Sequence, residues 1–136
     1  RKAPAATPRA ASGRRERAMT PFGRKVRQLR RRKGVTQRQM ADDLQISAAY
    51  LSALEHGWRG RPTPVLVDQI CAYFNIIWDD ADDLRRLARL SHPRVVIDTA
   101  GLTPEATELA NVLAERIGQL PRETIARLLG EVQGQR

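Results

Sequence analysis

Between Thr20 and Phe74 the chain is punctuated at short intervals by residues that start and stop helices, and this leaves few folds open to it. Thr20, Thr36, Ser47 and Thr63 each carry a side-chain oxygen suited to an orphan backbone N–H of a first turn. Pro21 and Pro64 stand at first helical positions, where a missing N–H costs little. Gly34 and Gly57 are C-terminal stops. Between these marks the apolar residues keep a helical period. Phe22, Val26 and Leu29 form one stripe and predict a helix from Pro21 to about Lys33. Thr36 caps a second, short helix through Leu44, with Met40, Ala41 and Leu44 inward. Gln45-Ile46 is a tight connection, and Ser47 caps a third helix to about His56, with Leu51 and Leu54 inward. Thr63 opens a fourth helix carrying Leu66, Val67, Ile70, Cys71 and Phe74. A fifth follows Asn75-Ile76-Ile77-Trp78, with Asp79, Asp80, Asp82 and Asp83 toward its positive end and Arg85, Arg86 and Arg89 toward its negative end.

Beyond Leu90 the pattern changes. Ser91-His92-Pro93 breaks the helix, and Arg94–Asp98 is a short β-branched run that reads as a strand or an extended linker packed on the core. Thr103-Pro104-Glu105 opens a sixth helix with Leu109, Val112, Leu113, Arg116, Ile117 and Leu120 on one stripe, and Pro121 restarts the chain into a last helix with Ile125, Leu128, Leu129 and Val132. Two short amphipathic helices as an antiparallel pair leave apolar surface to be covered. The expected division is a disordered basic arm or extension over 1–18, a helical domain over 19–90, a linker or strand over 91–99, and a helical pair over 100–136. Met19, just ahead of the helical pattern, is an alternative start, which would make residues 1–18 an upstream extension.

Charge divides the chain more sharply than composition does. The net charge of +9 is the sum of +12 in residues 1–33 and −3 in the rest. The sequence pI near 11.1 points to an acidic partner, nucleic acid first. Of the 24 basic residues 21 are Arg, which suits bidentate phosphate contacts, although a GC-rich genome gives the same bias. No apolar run is long enough to span a bilayer and no hydrophobic core follows the N-terminal charges, so a cytoplasmic protein without membrane attachment is expected.

Chemistry that would make an enzyme is missing from the pattern. His56 and His92 sit at helix ends with no carboxylate at a suggestive spacing, and Cys71 lies on the apolar stripe of the fourth helix. The Asp group of the fifth helix fits no calcium loop, and there is no glycine-rich phosphate loop or nucleophile motif. No catalytic residue, metal or cofactor is expected.

Two short capped helices joined by a tight connection, preceded by a basic helix and buttressed by others, form a helix-turn-helix layout. The run Gly34-Val35-Thr36-Gln37-Arg38-Gln39-Met40-Ala41, followed by Ile46-Ser47-Ala48-Ala49-Tyr50-Leu51-Ser52-Ala53-Leu54-Glu55-His56-Gly57, closely resembles the Cro/CI-like (XRE) family of bacterial and phage transcriptional regulators. The resemblance covers about residues 20–77 and departs at Gln45, where many members carry Gly. It implies an all-α, five-helix Cro/CI-like (lambda-repressor-like) DNA-binding domain, here with a short C-terminal helical pair. It also implies a sequence-specific repressor acting as a homodimer on a palindromic operator in double-stranded DNA, with helix 47–56 in the major groove.

Residue roles follow from the same likeness. Gln37 braces the backbone and the recognition helix; Ser47, Ala48, Ala49 and Ser52 face the groove, with Ala53 near its edge. Ala48 and Ala49 offer only apolar contacts such as thymine methyls, and Tyr50 reaches a phosphate or base edge, or packs. Arg38, Arg59 and Arg61, with Arg24 or Arg27 of the first helix, bind phosphates. Glu55 braces the fold through Arg30 or Arg31. Leu109, Leu113, Ile117, Ile125, Leu128 and Leu129 are expected to carry dimerisation. The alternative is an antitoxin-type DNA-binding protein whose C-terminal helices hold a partner protein.

Overall fold

Every helix start marked by a threonine or serine in the sequence is a cap in space. The computed structural model describes residues 18–58 and 61–134, so the basic arm up to Arg17, together with Arg59, lies outside the described residues. Seven α-helices run through them: α1 (Pro21–Lys33), α2 (Gln37–Leu44), α3 (Ala48–His56), α4 (Pro64–Tyr73), α5 (Trp78–Arg89), α6 (Pro104–Arg116) and α7 (Arg122–Gly134). A 3₁₀ turn, Ile117–Gln119, separates the last two. No described residue is in a strand, and Val95, Val96 and Ile97 have no regular secondary structure and are exposed rather than packed on the core. The fold is all-α.

The caps repeat one device. Oγ of Thr20, Thr36, Ser47, Thr63 and Thr103 accepts the N–H three residues on, that of Gly23, Gln39, Tyr50, Leu66 and Ala106 respectively. At α2 the Gln39 side chain also accepts the Thr36 N–H at 2.8 Å, completing a capping box. Gln45 ends α2 in the left-handed region at φ 61°, the conformation that family members carrying Gly reach at no steric cost. α5 starts without such a cap: Ile77 makes no side-chain bond, and Asp79 and Asp80 complement the helix dipole instead.

The chain separates into two units, the first ending at Val95 and the second starting at Val96. In the first, α1 to α5 enclose Phe22, Val26, Met40, Leu51, Leu54, Ile70 and Leu84, each 0 or 1% exposed. Cys71 belongs to this core, and burial pushes its thiol up from the ordinary value. Two contacts distant in sequence lock α1. The Phe22 N–H, an orphan of the first turn, donates to the buried Ser91 Oγ at 2.9 Å, and that hydroxyl donates to the Leu87 carbonyl at the end of α5. Gly23 lies against α3 so closely that a Cβ there would fall 2.0 Å from the Glu55 carbonyl oxygen. No side chain larger than hydrogen fits.

In the second unit α6 and α7 have no buried residue at all. Leu109, Ile117 and Leu129 are more than half exposed, while Leu113, Leu120 and Thr124 are partly covered.

Candidate nucleic-acid interface

The helix pair α2–α3 is held from behind by one carboxylate. Glu55, near the end of α3, is 1% exposed. Arg30 of α1 donates to it twice, Nε to Oε2 at 3.3 Å and Nη2 to Oε1 at 3.2 Å, and Gln37 Nε2 donates to Oε1 at 3.0 Å. The Glu55 carbonyl accepts from the Thr20 N–H at 3.0 Å and from its hydroxyl at 3.3 Å. A buried carboxylate is tolerated only when paired and hydrogen-bonded. This one ties the start of α2 and the end of α3 to the end of α1, while the Glu55 carbonyl ties in the start of α1. Of the two arginines proposed for Glu55, the structure uses Arg30.

The frame presents the start and one side of α3 to solvent. Ser47 and Ala49 are exposed, and Ala48, Tyr50 and Ser52 are half-buried. Ala48 and Tyr50 also pack against the core. Ala53, expected at the edge of this face, is 7% exposed; it lies where the chain turns back, its carbonyl accepting the Trp58 N–H at 2.8 Å. Its methyl therefore belongs to the interior and is removed from the surface set. Arg24, Arg38 and Arg61 are exposed, and Arg27 is half-buried with Nη1 3.7 Å from the Met19 sulfur. Gln37 is half-buried, its amide spent on Glu55.

The far end of α3 holds a feature the sequence did not single out. Gly57 turns the chain at φ 80°, and Trp58, 65% exposed, stacks on His56 with centroids 4.9 Å apart and planes 18° from parallel. The His56 Nδ1–H donates to the Ser52 carbonyl at 2.9 Å, which closes the last turn of α3. A tryptophan directly after a helix stop was the only available signal. Among the described residues no group of three His, Cys, Asp or Glu stands close enough to hold a metal ion. Among them no helix is long and apolar enough to cross a membrane.

The helix pair has counterparts in known proteins. The family model described as "Helix-turn-helix domain" matches residues 21–109, well over half of the chain. An uncharacterised HTH-type transcriptional regulator of Bacillus subtilis (strain 168), RghRB, is 36% identical over 62 residues. That stretch is 46% of this chain and 45% of the relative, so the chain covers somewhat under half of that protein's length. No solved structure matches the chain.

Proposed function

The chain belongs to the family of helix-turn-helix domains, with the Cro/CI-like (XRE) pattern on α2 and α3, and from that premise we propose that it is a sequence-specific DNA-binding regulator of transcription. In this reading it is a cytoplasmic, nucleoid-associated repressor of bacterial type, and it acts as a homodimer on a palindromic operator. The observation that carries the DNA-binding step is the frame behind α3: Glu55, Arg30 and Gln37 immobilise the helix while Ser47, Ala49 and Ser52 stay accessible. A rigid helix with short side chains at its accessible start can enter a major groove without a conformational cost. Ser47 and Ser52 supply hydroxyls for base edges, and Ala48 and Ala49 supply methyl contacts to thymine. Arg24, Arg27, Arg38 and Arg61 neutralise phosphates and give affinity that falls with salt.

Residues 34–63 carry three basic and three acidic side chains, so the helix pair itself is neutral. Affinity then rests on α1 and the N-terminal charges, and specificity on few base contacts with a share from duplex shape. The apolar residues of this unit, Leu109, Ile117, Ile125, Leu128 and Leu129 exposed and Leu113 partly covered, support dimerisation, because two helices without an interior need a partner surface. A symmetric dimer would set two copies of α3 in successive major grooves about 34 Å apart. The same bareness favours a second reading, an antitoxin-type protein whose C-terminal helices cover a different protein.

The test is selection of bound duplexes from a random pool with the full chain, followed by titration of Ala49→Asp. Enrichment of an inverted repeat is expected. The variant, exposed and therefore folded, should lose at least about tenfold in affinity for the selected site, about 1.4 kcal/mol. A pool that stays random, or a variant that binds as well as the parent, would remove α3 from the interface. A homodimer on sizing supports the first reading; a monomer that becomes a stable complex only with another protein supports the second.

A further inference from the structure

A second basic feature lies away from the start of α3, between the beginning of α4 and the end of α5. There a cavity of about 340 Å³ opens to solvent. Its floor is apolar, with Val67 at 2% and Ala88 at 5% exposure. Its rim carries three guanidinium groups, Arg61, Arg85 and Arg89, against one carboxylate, Asp68. Asp68 is engaged by Arg85, so it does not compensate Arg61 or Arg89.

The three arginines are not equivalent. Arg85 is fixed in place: Nε donates to Asp68 at 3.2 Å and Nη1 to Asp82 at 2.9 Å. Both carboxylates stabilise its charge, and Nη2 is left for another acceptor. Arg61 and Arg89 make no ion pair with any described carboxylate. A positioned guanidinium flanked by two without an ion pair, over an apolar floor, is the chemistry that recognises a tetrahedral oxyanion by several charge-assisted hydrogen bonds. The volume exceeds that of a bare anion and lies within the range of small-ligand sites.

We propose that the cavity between α4 and α5 is a phosphate-binding site, with Arg89 and Arg61 as its charged jaws and Arg85 as its fixed back wall. Such a phosphate has two sources. One is the duplex backbone, which would extend the DNA contact from Arg61 along α5; this source rests on the proposed DNA-binding function. The other is a free phosphorylated small molecule, which does not depend on that function and would make the site an effector pocket.

The experiment has two arms on the full chain, with Arg89→Gln and Arg61→Gln as variants. In the first, inorganic pyrophosphate is titrated against sodium chloride at equal ionic strength while amide NMR shifts are followed at Val67 and Arg89. A free-ligand site gives saturable shifts there, and either variant weakens them at least about tenfold. In the second, binding to a selected duplex is measured against salt concentration. A backbone contact makes Arg89→Gln lower the slope of log K against log salt by about one. Either response supports the site and names its source. If neither occurs while the wild type binds duplex normally, the site is overturned and the DNA-binding function stands. If the wild type binds no duplex, the DNA-binding function fails and the pyrophosphate arm alone decides the site.

Discussion

Five helices between Pro21 and Arg89 close around a core of fully buried side chains, whereas the two between Pro104 and Gly134 bury none, although α6 is as long as α1 and starts with the same Thr-Pro cap. Local signals are equally good in both regions. What differs is the number of faces brought together. A helix shorter than about 15 residues is marginal in water by its own propensity, and its stability comes from the apolar face it buries. α1 to α5 supply one another with that surface. α6 and α7 carry the same kind of stripe, with Leu109, Leu128 and Leu129 among its exposed members, and do not enclose it. The first region closes a core of its own, and the second leaves its apolar stripe open.

The hardest blow to the first region is expected from Glu55→Ala. Removing this carboxylate strands Arg30, whose side chain is 12% exposed, and frees the Gln37 amide. Breaking a buried pair from one side costs roughly 3–5 kcal/mol. Urea denaturation followed by tryptophan fluorescence reports the first region alone, because Trp58 and Trp78 are the two tryptophans of the chain. A loss below about 1 kcal/mol would mean that packing, and not this ionic frame, holds α3 in place.

A matched pair of truncations separates the two regions more finely. Leu51→Ala empties part of a sealed core and is expected to cost about 2–5 kcal/mol. Leu129→Ala, at a position 54% exposed, should change that transition by less than about 0.5 kcal/mol. It should instead weaken self-association, measured as a shift toward monomer by analytical ultracentrifugation. Equal losses in the tryptophan transition would show that the two regions share one interior after all.

The contrast also marks what was legible in the chain. Each expected helix is present, because caps, prolines and stripes act over three or four neighbours. The one clear miss is the end of α6, which stops at Arg116 and passes into a 3₁₀ turn, so that Ile117 and Leu120, expected on its stripe, lie beyond it. Glu55 as a brace and Cys71 as a buried thiol were legible from their places on a stripe or motif. Contacts set by tertiary approach were not. Gly23 looks like a weak point in a helix until α3 is seen against it, and Ser91 looks like a mere breaker until it receives the Phe22 N–H across 69 residues. The family likeness places Ala53 near the edge of the groove-facing side, yet in this fold it is 7% exposed. The arginine cavity was missed for the same reason: Arg61 and Arg89 meet only because α4 and α5 pack together.

A small effect that depends on pH is expected at the join of α1, α2 and α4. The Tyr73 hydroxyl donates to the Asp43 carboxylate at 2.7 Å, and Lys33 sits 4.0 Å over the same ring while donating to the Tyr73 carbonyl. Burial, then the hydrogen bond to Asp43 and its charge, push the phenol up from 10 to about 12. The folded form therefore holds this proton more tightly than the unfolded chain does. The linked stability is complete below about pH 10, where phenol is protonated in both states, and is lost as pH rises from there through about 12. Solvent screens the pair, so the loss should stay below about 1 kcal/mol. Tyr73→Phe has no proton to lose, and its stability curve should be flatter than that of the parent across this window. Parallel curves would mean that Tyr73 holds its place by its ring and Lys33 alone. A steeper fall than expected would make the Asp43 bond a principal tie between α2 and α4, on a par with the buried frame around Glu55.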